Sequence, residues 1–165
     1  MNVRLTLLAA VLLLAVAGGG TIAGAAENRN SVAVLSGDEE VPPVGTHAVG
    51  LAKYQLSDEG DELGFKLIAA NIENVTQAHI HCGAPGVNGP VVAFLYDLGP
   101  TVSPNGILSE GTVADANVID RPDSAACPGG ISDFEDLIAK LESGGAYTNV
   151  HTTAFPGGEM RGPIR

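Results

Sequence analysis

Basic residues are scarce in this chain: 8 lysines and arginines stand against 19 aspartates and glutamates, for a formal net charge of −11. A field of that sign repels the phosphates of nucleic acids and of anionic membrane surfaces, which excludes both as expected partners. Long apolar runs are also scarce. The one present, Leu5 to Ala17, is about 13 residues, short of the roughly 20 that cross a bilayer. Tryptophan is absent, and cysteine occurs only as Cys82 and Cys127. Neither cysteine lies near the expected cleavage point, which argues against bacterial-type lipid anchoring. Catalytic signatures are missing too: there is no Ser-His-Asp order and no nucleophile elbow. The glycine turn Gly83-Ala84-Pro85-Gly86-Val87-Asn88-Gly89 lacks the lysine and following helix of a phosphate loop.

What is present begins with an export pattern. Arg4 supplies the charge of an n-region, Leu5 to Ala17 forms the apolar h-region, and Ala23-Gly24-Ala25 offers small residues at a cleavage point. The expected organisation is a secretory signal over 1–26, a lead-in over 27–33 and one domain over 34–165. The alternative is an uncleaved anchor. Cleavage removes one arginine and no acid, so the charge becomes −12. An extracellular or cell-envelope location is expected, with no membrane span after cleavage. In that oxidising setting Cys82 and Cys127 read as a disulfide, although free thiols or a metal role for Cys82 remain open.

Twenty-two glycines and 10 prolines suit short strands with tight turns. Strands are predicted over 31–36, 48–56, 63–69, around His79-Ile80-His81, over 91–96, 107–113 and 146–152, and near the C-terminus at 159–164. The segment 37–46 contains Pro42-Pro43 and reads as irregular. The 91–96 strand is apolar on both sides and reads as central. The period changes once: Ser132 followed by Glu135 resembles a capping box, and Phe134, Leu137, Ile138 and Leu141 recur at helical spacing, so one helix is predicted over 132–143. About eight short strands and one helix make a β-sandwich or barrel.

Chemistry concentrates in His79-Ile80-His81-Cys82-Gly83. Side chains alternate along a strand, so His79 and His81 project to one side while Ala78, Ile80 and Cys82 project to the other. If Ile80 and Val150 face the core, His151 joins His79 and His81 on the outer side, with Tyr147 and Asn149 beside it. Three strand-borne imidazoles are a donor set for copper or zinc. Two readings follow: a mononuclear site on His79, His81 and His151, or a scaffold in which the histidines pin loop carbonyls. In the scaffold reading Asn149 and Thr152 satisfy backbone near the last turn, and Glu159 pairs with Arg161 to tie the final strand to the His-x-His loop.

Three motifs in series resemble the chordin-type, or CHRD, domain. They are Leu35-Ser36-Gly37 with Glu40-Val41-Pro42-Pro43, His79-Ile80-His81-Cys82-Gly83 with Gly86 and Gly89-Pro90, and Tyr147-Thr148-Asn149-Val150-His151-Thr152 with Pro156-Gly157-Gly158-Glu159-Met160-Arg161-Gly162. The resemblance covers about Val34 to Ile164. It implies an all-β, immunoglobulin-like antiparallel sandwich with one short helix, found in extracellular regulators and as solitary secreted modules. The His-x-His is also locally similar to that of copper-zinc superoxide dismutases, another β-sandwich, but a fourth copper histidine and a zinc loop are missing. The resemblance brings no catalytic residues. The expected function is a non-enzymatic binding or structural module with an extracellular partner, the alternative a copper or zinc protein.

Overall fold

The computed structural model describes residues 29–97 and 99–165. The expected signal over 1–26 lies outside the described residues. Eight strands are present: β1 (Asn30–Ser36), β2 (Val49–Leu56), β3 (Glu62–Ala70), β4 (Val75–Cys82), β5 (Val91–Tyr96), β6 (Gly106–Ala114), β7 (Ala146–Thr152) and β8 (Met160–Pro163), with one helix, α1 (Phe134–Glu142). The pairings are antiparallel, in the order β5-β4-β7-β8-β1-β2-β3-β6. The two end strands approach one another, so the sheet curls around its own apolar face. Among the described residues no helix is long and apolar enough to cross a membrane.

Alternation decides which side is inside. Ala33 and Leu35 of β1, Ala52 and Tyr54 of β2, and Leu63, Leu67 and Ala69 of β3 are buried at every second position. Ala78, Ile80 and Cys82 of β4 and Val150 of β7 join the same core. Inside it the Tyr54 hydroxyl meets the Thr148 hydroxyl at 2.6 Å, which satisfies both groups. On the outside, Val34, Leu51, Ile68 and Ile107 are register partners across four adjacent strands. Val34 and Ile107 are 68% and 56% exposed, so an apolar row lies open to solvent.

Three expectations change. β5 is a terminal strand of the order, not a central one. Its free edge is met by the segment after β6: Ile119 N–H donates to Val92 O at 2.8 Å and Arg121 Nε–H to Val91 O at 2.7 Å. The helix is shorter than 132–143, and its N-cap is Asp133, which accepts the Asp136 N–H at 2.9 Å. A carboxylate there meets the positive end of the helix, and Ser132 bonds to the Asp136 carboxylate instead of capping. Finally, Glu159 does not pair with Arg161. Glu159 accepts from the hydroxyls of Thr46 and Thr152, both at 2.7 Å, while Arg161 faces Glu40 at 3.8 Å.

The disulfide forms as expected. Cys82 and Cys127 are joined with Cα atoms 5.4 Å apart, which ties β4 to the long segment between β6 and α1. Closing a loop of 45 residues contributes about 4 kcal/mol on the chain-entropy model.

Candidate metal centre

The outer faces of β4 and β7 form the floor of the site. Because cross-strand partners share a face, the pairing His79↔Asn149 and His81↔Tyr147 puts His79, His81, Tyr147 and Asn149 on one side, with His151 opposite Gln77. β8 adds Arg161 opposite Asn149, and β5 adds Phe94 opposite His79. The expected parity is therefore present. The face is nonetheless closed to water: His79, His81 and His151 are only 3%, 8% and 7% exposed.

Loops make the cover. Residues 83–90 fold back over β4, where the His81 Nδ1–H donates to Gly89 O at 2.9 Å and the Gly89 N–H donates to the Tyr147 hydroxyl at 3.1 Å. Gly89 passes so close that an added Cβ would lie 1.6 Å from Cys82 O, a position only glycine can take. The final turn makes the opposite wall, with the His151 Nδ1–H donating to Pro156 O at 3.0 Å. At Gly158, φ is 125° and an added Cβ would be 2.6 Å from both Asn149 Nδ2 and Glu40 Oε1. The Phe94 ring closes the side, edge-on to His79 with centroids 4.7 Å apart.

These hydrogen bonds assign the imidazole tautomers. A carbonyl only accepts, so Nδ1 of His81 and of His151 must carry the proton, which leaves each Nε2 a bare lone pair. His79 Nε2 lies 3.2 Å from Gln77 Oε1, so its bare nitrogen is Nδ1. Those three nitrogens, His79 Nδ1, His81 Nε2 and His151 Nε2, are buried and have no hydrogen-bond partner. One ligand nitrogen from each ring lies within 4.8 Å of those of the other two. A metal about 2.0–2.1 Å from all three needs them roughly 3.5 Å apart, within the 4.8 Å that bounds the group. The opposite nitrogen of each ring is held by a carbonyl-type oxygen, the arrangement that orients metal-ligating histidines.

Electrostatics keeps the rings neutral. Burial pushes His79 down to about 3, helped by the neighbouring His151 and His81. Burial likewise takes His81 down to about 4 against the pull of the Gly89 carbonyl, and lowers His151. Neutral imidazole is the ligating form. Among the described residues no carboxylate joins the three-histidine group, and His47 is exposed and not part of it.

A second polar cluster adjoins. Arg161 lies over the Tyr147 ring at 4.9 Å and donates to Asn88 Oδ1 at 2.8 Å, so it does tie β8 to the His-x-His loop. Burial raises Glu40 to about 7 even though Arg161, next in size, pulls it down. Glu40, Gln77, Asn88 and Phe94 carry no site role in the sequence reading, although Glu40 and Asn88 fall within its motifs. Gln77 shares the parity of His79 and His81, which was a usable signal; the other three reach the site only through long-range packing. Thr152 takes its expected role, accepting the Phe155 N–H at 3.2 Å. The expected glycines Gly83, Gly86 and Gly89 all lie on the covering loop.

A family model described as CHRD domain matches residues 31–164. No curated protein and no solved structure matches the chain.

Proposed function

The chain belongs to the CHRD domain family, and on that premise we propose that it works outside the cytoplasm as a binding module, not an enzyme, with its binding centre at His79, His81 and His151. The ligand is a transition-metal ion, copper or zinc. The observation that carries this reading is the set of three unpartnered ring nitrogens, buried together. Leaving a buried acceptor unsatisfied costs about 1–3 kcal/mol, so three in one place are best explained by a Lewis acid that all three bind. The cover of two loops and Phe94 keeps all three rings under 9% exposed, which favours holding metal over turning over a substrate. Export is supported by the apolar segment Leu5 to Ala17 and by the Cys82–Cys127 bond, whose persistence needs an oxidising compartment.

Metal content is the test. Protein purified from medium replete in copper and zinc, without chelator, carries one ion per chain, and the His79→Ala/His81→Ala variant carries none while still unfolding cooperatively. An ion-free wild type under those conditions removes the reading.

A second surface supports a protein partner. The open row Val34, Leu51, Ile68 and Ile107 is apolar across four strands, larger than scattered exposed residues require. A photo-crosslinking side chain at position 34 gives a discrete adduct with an extracellular protein, whereas the same probe at Lys53 gives none. Equal labelling at both positions contradicts this second reading.

A further inference from the structure

We infer that the ion held by His79, His81 and His151 is monovalent copper, bound by three imidazoles alone. This inference rests on the metal-binding reading above and specifies it.

Donor number is the first argument. Three neutral nitrogens converge, and among the described residues no carboxylate or thiolate joins them, because both cysteines are consumed in the disulfide. Zinc(II) completes a tetrahedron and copper(II) a tetragonal set, so each needs at least one more donor. Copper(I) has a filled d shell and is content with three nitrogens in a plane. The cover decides against a solvent-supplied fourth ligand: exposure of 3–8% at the three rings leaves no broad opening over the centre.

Charge is the second argument. The self-energy of an ion in a low-dielectric interior grows with the square of its charge, so a divalent ion is about four times as costly to bury as a monovalent one. Nothing in the ligand set offsets that cost. The guanidinium groups of Arg161 and Arg121 both act on His81, and they repel a cation. Glu40 lies against Arg161 and answers that charge, not the ion's. A site built for a divalent ion would place an acid among the ligands; this one places a phenyl ring, Phe94, against His79. The chemistry at the centre therefore selects a soft, singly charged d10 ion, and silver(I) is its redox-inert stand-in.

The experiment is competitive titration of the full chain with its disulfide intact. Copper(I) is delivered anaerobically from a colorimetric chelator, silver(I) is added in a parallel sample, and zinc(II) and copper(II) are titrated separately. Copper(I) and silver(I) bind with one equivalent each, on the order of 100-fold tighter than zinc(II), and X-ray absorption of the copper(I) form gives three nitrogen neighbours. His151→Gln, which keeps a polar side chain at the Pro156 turn, retains the wild-type unfolding transition and loses copper(I). Stoichiometric zinc(II) or copper(II) with weak copper(I) overturns the monovalent assignment and leaves the metal site standing. Failure of all four ions to bind overturns both. Copper(I) retained in both His151→Gln and His79→Gln overturns the placement.

Discussion

Acidifying the metal-free protein is expected to destabilise it through the three histidines, with Glu40 acting in the opposite sense. His79 and His81 have folded values of about 3 and 4 against an unfolded value near 6.5. Between those limits the unfolded chain binds protons that the folded chain refuses, so stability falls as pH drops below about 6.5. From pH 7.5 to 5 a fully desolvated histidine of this kind loses about 2 kcal/mol; halving for solvent screening leaves about 1 kcal/mol each, roughly 2 for the pair. His151 shifts in the same direction. Glu40 is raised to about 7. Its folded form keeps a proton that the unfolded form releases, so its stabilisation is present at pH 4.5 and lost as pH rises toward 7. After the same discount it returns about 1 kcal/mol on acidification. Wild type therefore loses about 1–2 kcal/mol between pH 7.5 and 5, and Glu40→Gln, which cannot titrate, loses about 1 kcal/mol more. Urea unfolding at stepped pH, with chelator present and the denaturant slope held constant, reads this directly. A stability that rises on acidification in Glu40→Gln would refute the burial of neutral histidines.

Other expectations follow from the same contacts. Replacing Cys82 and Cys127 together by alanine lowers stability by about 4 kcal/mol, measured by urea unfolding, with a steeper denaturant slope because the unfolded chain is no longer cross-linked. Gly89→Ala forces the covering loop off Cys82 O and costs about 1–3 kcal/mol; hydrogen exchange rises at the Gly89 amide, and metal affinity drops with it. Arg161→Ala removes the cation that holds Glu40 down, so Glu40 takes up a proton; linkage limits this charge part of the cost to about 1 kcal/mol at pH 8, and it is smaller still at pH 5, where Glu40 is already protonated. Phe94→Ala opens the side of the pocket, so metal leaves faster in stopped-flow chelator challenge while the unfolding midpoint moves less than for Arg161→Ala.

Local alternation made much of this fold legible. Ile80 flanked by two histidines, and Val150 next to His151, announced which side of each strand was apolar, and β4 and β7 obey that pattern. The two cysteines, in a chain whose N-terminus reads as an export signal, point to their bond. What alternation cannot carry is coverage. β5 reads as central because both its faces are apolar, yet it lies at the end of the strand order, where its free edge is met by Ile119 and Arg121 of an irregular segment. Likewise the histidine face reads as open, and becomes buried only because the glycine and proline loops 83–90 and 153–158 close over it. Glu40 is some 120 residues from Arg161 in sequence, so proximity along β8 favoured Glu159 when the fold supplies Glu40. The helix cap shifted by one residue because Asp133 and Ser132 are both good caps and only the geometry of the first turn separates them.

Long-range proton–nitrogen NMR of the histidine rings puts the central claim to its most direct test. The metal-free protein at pH 7.5 should show His81 and His151 protonated at Nδ1 and His79 at Nε2, and one equivalent of silver(I) should move the resonances of His79 Nδ1, His81 Nε2 and His151 Nε2 together. Opposite tautomers, or shifts confined to His47, would contradict the account.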